Sequence, residues 1–246
     1  MLTHLAGASI RAVSVLVAAA ALAGCVASRV ETVSTPGSAA GATIAVPPGA
    51  RVFSVDPAAT RITVLVYRAG PMARLGHNHA ITSGDETGVV WLGAAAASSG
   101  FEIHVPVAAF VVDDPQARAA SGPEFPGEVP DDARAGTTAN MLRTEVLDAA
   151  HYPEVVVRSV AATGTWQQAV LQASVRLKGV ERQVEVPVAL TVAGDTVEAT
   201  GAFELRQTDF GITPFSVGGG AIQVADIIKV SFKIAAVLSP AADKVK

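Results

Sequence analysis

The chain has 246 residues, of which 50% are hydrophobic, 5% aromatic and 16% charged, with a formal net charge of −4. That hydrophobic fraction excludes an intrinsically disordered chain, which combines low hydrophobicity with high net charge. The acidic balance excludes the clustered basic footprint of a nucleic-acid-binding protein.

The first element is a targeting segment. Arg11 is the only Lys or Arg among the first 25 residues, and an apolar run from Ala12 to Leu22 follows it. The run is shorter than the roughly 20 residues that span a bilayer, but it suits the h-region of a signal peptide. Leu22-Ala23-Gly24-Cys25 comes next and holds the only cysteine of the chain, which rules out an intrachain disulfide. The tetrapeptide resembles the lipobox of bacterial lipoproteins. That resemblance implies cleavage before Cys25 and lipidation of its thiol. Ordinary secretory cleavage after Ala21-Leu22-Ala23 is the alternative. Lipoproteins held in an inner membrane often carry Asp after the cysteine, and Val26 stands there instead. The expectation is therefore a lipid-anchored, periplasm-facing protein of the bacterial envelope, with the outer membrane preferred.

Residues 1–24 are thus expected to be the signal peptide. Residues 25–49, rich in Ala, Ser, Thr, Gly and Pro, read as a flexible tether ending in Pro47-Pro48-Gly49. A folded domain is expected over 50–238, with a tail at 239–246. Within the domain the dominant signal is period-two alternation, the mark of half-buried strands. Short strands are expected at Arg51–Val55, Arg61–Tyr67, His77–Thr82, Thr87–Leu92 and Phe101–Val107. An exposed, Pro-rich loop is expected from Asp113 to Ala135, then a helix from Thr138 to Leu147 and a strand at Val155–Thr163. The alternation is cleanest in the last four strands. Leu171, Ala173, Val175 and Leu177 share a face, as do Val184, Val186, Val188, Leu190 and Val192. Val197, Ala199, Gly201, Phe203 and Leu205 repeat the pattern, and Ile228, Val230, Phe232, Ile234 and Ala236 close it.

Such strands suit a sandwich or an up-and-down barrel, and the long final strands favour the barrel, which leaves no edge unpaired. The fold expected is all-β, an antiparallel up-and-down barrel of about eight strands with one short helix. An eight-stranded barrel is just wide enough to be filled by side chains or to hold one small ligand. The small inward residues leave room.

Phe53-Ser54-Val55-Asp56-Pro57, the run from Leu142 to Asp148 into Tyr152-Pro153, and Thr208-Asp209-Phe210-Gly211-Ile212 occur in this order. Gly218-Gly219-Gly220 and Val224-Ala225-Asp226 follow. Together they resemble the YceI-like family from Arg51 to Ala236. The resemblance implies a secreted or periplasmic, lipocalin-like barrel whose apolar tunnel holds an isoprenoid or other amphiphilic lipid non-covalently, with no cofactor and no established catalytic residues. The sequence departs from the family pattern in the long Asp113–Ala135 excursion and in Leu75-Gly76-His77-Asn78-His79.

Candidate ligand contacts follow. Val64, Val66, Val186, Val188, Leu205 and Val230 would line the tunnel, with Phe110, Phe203, Phe210, Phe215 and Phe232. Arg74, His77 and His79 would meet the polar head. His77 and His79, two apart on a strand, face the same way and are the candidates for a metal site, which would need a third ligand. His104 and Glu102 are expected at the surface, His151 in a turn, and the pairs Asp113-Asp114 and Asp131-Asp132 in a solvated loop. Asp209-Phe210-Gly211 lacks the phosphate and catalytic loops of a kinase, and no Gly-x-Ser-x-Gly elbow is present. The function expected is to sequester or carry a polyisoprenoid, quinone or fatty-acid-like lipid without chemistry. The alternatives are a metal-dependent or redox-assisting protein using His77 and His79, or a packed barrel serving as an interaction module. Partners expected are the lipid and the membrane, with no nucleic acid; monomer and homodimer both stay open.

Overall fold

The computed structural model describes residues 31–33 and 44–240. The expected signal peptide, Cys25, most of the expected tether and residues 241–246 lie outside the described residues. The alternating Val and Leu segments form one antiparallel sheet of eleven strands. In chain order these are β1 (Arg51–Val55), β2 (Arg61–Val66), β3 (His79–Thr82), β4 (Thr87–Leu92), β5 (Gly100–Pro106) and β6 (Val111–Val112). The long ones follow: β7 (Glu154–Thr165), β8 (Gln168–Leu177), β9 (Val180–Ala193), β10 (Thr196–Arg206) and β11 (Ile227–Leu238). Eight of them close into a ring in the order β1-β4-β5-β7-β8-β9-β10-β11, because β11 pairs with β10 on one edge and with β1 on the other.

The long half is a meander of tight hairpins. Lys178 and Gly179, which join β8 to β9, both have positive φ (50° and 74°), as a two-residue turn between twisted strands requires. Lys178 is held there by hydrogen bonds from Nζ to the carbonyls of Glu145 (3.0 Å) and Gly211 (3.1 Å).

The other side of the ring is built in two tiers. Three consecutive strands break at one height: Asp56–Thr60 separates β1 from β2, Ser83–Glu86 separates β3 from β4, and Val107–Phe110 separates β5 from β6. β11 therefore pairs with β1 through Ala236–Leu238 and with β2 through Lys229–Lys233. Thr60 fixes the first break, its Oγ1 donating to the Ala235 carbonyl (3.3 Å) and accepting from the Ala235 amide (3.1 Å). β2, β3 and β6 continue the wall toward the end that carries the β8–β9 turn, called the mouth here. At the opposite end, the base, Phe53, Leu92, Val197 and Ala236 are buried against Trp166 and Leu190.

Several expectations need correction. The packed chain starts before residue 50: Ile44–Val46 pairs with Glu31–Val33, and Val46 is fully buried against Val52 and Val89. The excursion from Asp113 to Ala135 is not a solvated loop. It holds a short helix, α1 (Pro115–Ala120), capped by the Asp114 carboxylate on the amides of Gln116 and Ala117, and it buries Asp113, Arg118, Phe125 and Val129. The second helix, α2, spans Asp131–Met141 rather than Thr138–Leu147. Its start is marked by Pro130 and by two carboxylates in the first turn, which complement the helix dipole. Val146 and Leu147 belong to the turns after it and pack on the barrel core instead.

Candidate functional site

A cavity of about 450 Å³ occupies the barrel. It is lined from base to mouth by the inward faces of the strands, so the period-two pattern is its direct cause. Val64, Val66, Phe110, Val186, Val188, Phe203, Leu205, Phe215, Val230 and Phe232 all line it, as do His77 and His79. Two expected contacts do not. Arg74 stands exposed on the short turn Ala73–Leu75, and Phe210 is buried behind the wall against Leu177 and Ile212. Gly201 occupies an inward position on β10 where a Cβ would fall 2.6 Å from the Phe232 ring. Its missing side chain lets Phe232 lie across the interior, edge-on to Phe203 with centroids 6.3 Å apart.

The lining also contains residues that were not anticipated. Ala133, Thr137, Asn140 and Met141, spaced on one face of α2, cover the mouth end, and Trp166 lies at the base. Arg68 is the clearest omission. Val64 and Val66 point inward, and continuing the same alternation by two residues lands on Arg68, beyond the expected end of the strand at Tyr67. Polar side chains gather at the mouth, where Arg68, His77, His79, Thr137, Asn140, Gln207 and Gln223 line the cavity; among the described lining residues only Ser99 is polar at the base.

His79 is the best-anchored of these. Its Nδ1 lies 2.6 Å from Asp113 Oδ2, while Asp113 Oδ1 accepts from the Ala80 amide (2.9 Å) and from Arg118 (2.6 Å). Arg118 in turn donates to the carbonyls of Asn78, Gly127 and Pro126, which ties the excursion to the mouth. Burial raises the proton affinity of Asp113, but hydrogen bonds from His79, Ala80 and Arg118 outweigh it and hold the carboxyl below its ordinary value of 3.8. Asp113 is therefore a buried counter-ion, not the solvated loop residue expected.

His104 and Glu102, expected at the surface, are also buried, at 1% and 4% exposure. His104 Nε2 meets Glu102 (2.8 Å) and Nδ1 meets Glu154 (3.0 Å), while Arg158 donates to the second oxygen of Glu102. Burial raises the Glu102 carboxyl, yet the bonds from Arg158 and His104 bring it below 4.5. None of these four residues lines the cavity, so the network reads as structural.

The rings of His77 and His79 lie 6.3 Å apart, and among the described residues no group of three or more His, Cys, Asp or Glu could hold an ion. His151 sits in its expected turn, bonded to Asp148 (2.8 Å). Asp226 fastens the chain after β10, accepting from the Thr208 amide and hydroxyl, both at 2.8 Å.

A family model described as YceI-like domain matches residues 53–236. Among solved structures, the chain is similar to BcnA of Burkholderia cenocepacia at 18% identity and a TM-score of 0.54, covering 74% of this chain and 98% of that one. The likeness shows a shared fold. The YceI protein of Campylobacter jejuni matches at 10% identity and a TM-score of 0.48, over 65% of this chain and 84% of that one. No curated protein matches the chain.

Proposed function

The chain belongs to the YceI-like domain family, and on that premise we propose that it binds one amphiphilic lipid in the barrel. The tail, isoprenoid or acyl, would lie between base and mouth, and the head would meet the polar residues there. The observation that carries this reading is the cavity itself. Its 450 Å³ falls within the roughly 300–1,000 Å³ of small-molecule sites, with apolar walls and a few convergent polar groups. An apolar occupant would bury the Val, Leu and Phe faces that otherwise meet water or empty space.

The same volume argues against a packed structural barrel, and among the described residues no third ligand joins His77 and His79. The lipobox-like Leu22–Cys25 supports a carrier tethered to the bacterial envelope and facing the periplasm. Native mass spectrometry after gentle purification tests the binding. A co-purified lipid, or uptake of an added quinone, isoprenoid or fatty acid, is the expected result. Repeated failure to find or load any of them would sink the proposal.

A further inference from the structure

We infer that the lipid's head is anionic, a carboxylate or a phosphate monoester, and that Arg68 is its principal partner. The inference rests on the cavity being a lipid site and names the chemistry of the head. Its starting point is the charge along the wall. Among the described residues no Asp, Glu or Lys lines the cavity, and Arg68 is the one permanently charged residue that does. Arg68 also takes part in none of the ion pairs among the described residues.

Its position is defined. The Arg68 amide donates to Asn78 Oδ1 (3.0 Å), and one terminal nitrogen donates to the Gly76 carbonyl (2.8 Å). A guanidinium carries five N–H donors in a flat fork that fits two oxygens of one anion. One direction is taken by Gly76, and most of the fork remains free. The chain turn that supplies Gly76 also supplies His77, so both His77 and Arg68 border the opening.

His79 adds a second polar group. Its Nδ1–H donates to the Asp113 carboxylate, and Nε2 is the ring nitrogen left over, an acceptor in the neutral imidazole and a donor only in the imidazolium. The negative charge of Asp113 does not spoil the site, because Arg118 matches it at 2.6 Å from behind. A cationic head would face an unpaired guanidinium, with no carboxylate among the described residues that line the cavity. Arg68 is itself exposed, so beside a neutral head it would stay in water, and that head would gain no charge-assisted bond from it. An anion satisfies Arg68 directly.

The test compares matched heads on identical tails. Full-length, delipidated protein is titrated with oleic acid against oleyl alcohol, and with farnesyl phosphate against farnesol, by displacement of a fluorescent fatty-chain probe. The native protein is expected to bind an anionic form about tenfold or more tightly than its alcohol, since charge-assisted hydrogen bonds are roughly twice as strong as neutral ones. Arg68→Gln is expected to collapse that ratio toward one by weakening the anions, with circular dichroism and the melting temperature reporting an intact fold. A preference confined to the carboxylate pair or to the phosphate pair identifies the source of the anion, and either result supports the inference. Alcohols that bind as tightly as the anions, or a ratio unmoved by Arg68→Gln, would overturn it and leave the lipid site standing. If none of the four ligands displaces the probe, this inference falls, and native mass spectrometry decides the lipid site separately.

Discussion

Asp113 is buried between Arg118 and His79, so removing it strands a guanidinium that is only 3% exposed. Breaking a buried pair from one side costs about 3–5 kcal/mol, more than the pair contributes against an apolar replacement. Asp113→Ala is expected to lose stability on that scale, read from the urea midpoint. The acid response follows from the same group and from Glu102. Both folded carboxyls are held below their ordinary values of 3.8 and 4.5, so the unfolded chain takes up these protons first as pH falls. Their contribution is complete above the ordinary values and is lost as pH drops through them toward the lowered, folded ones. The denaturation midpoint should decline as pH falls below about 4.5; a level profile from there down to pH 3 would refute the assignment. At this scale the sequence was hardest to read. Asp113 and His104 look like surface residues because their partners, Arg118 five positions on and Glu154 fifty positions on, are joined to them only by the fold. Arg68 was legible in principle, since it extends the alternation of Val64 and Val66.

Helix α2 shows what an element of small residues does. It contributes Ala133, Thr137, Asn140 and Met141 to the cavity wall but has no fully buried residue, so tertiary packing supports it weakly and intrinsic propensity counts. Gly136 is exposed in its interior, and a Cβ there would meet nothing within 4 Å. Gly136→Ala is expected to stabilise the protein by about 0.5–1 kcal/mol, visible as a higher melting temperature with ligand binding unchanged. The long hairpins were readable from the sequence because turn and alternation agree over ten or more residues. The helix was displaced because the apolar spacing of Met141, Leu142, Val146 and Leu147 mimics a helical stripe. The true start lay in Pro130-Asp131-Asp132, a signal of capping and dipole rather than of hydrophobicity.

For the molecule as a whole, the low aromatic content foretold the interior. Val and Ala on the inward faces wall a space they do not fill, and where Phe232 does cross it, Gly201 makes way. Stability should therefore be linked to occupancy. At a free ligand concentration one hundred times its dissociation constant, binding adds about 2.7 kcal/mol. For a domain of this size that corresponds to roughly 5–10 °C in melting temperature. Delipidated protein should melt lower and recover on reloading, followed by calorimetry. Identical melting of loaded and stripped protein would contradict a cavity-bound ligand.

The two-tier wall has a mechanical consequence. The eight-strand ring is an unbroken circuit of hydrogen bonds and resists widening as one body. The tier at the mouth is different: β2 hangs from β11 through Lys229–Lys233, β3 from β2, and β6 ends the sheet with a single neighbour. Beyond it the circumference is completed by α1, α2 and the Asp113–Arg118 tie, held by side chains and not by a ladder. The vessel thus has a rigid body and a collar with a seam, and side-chain contacts at the seam can part while every bond of the ring stays made.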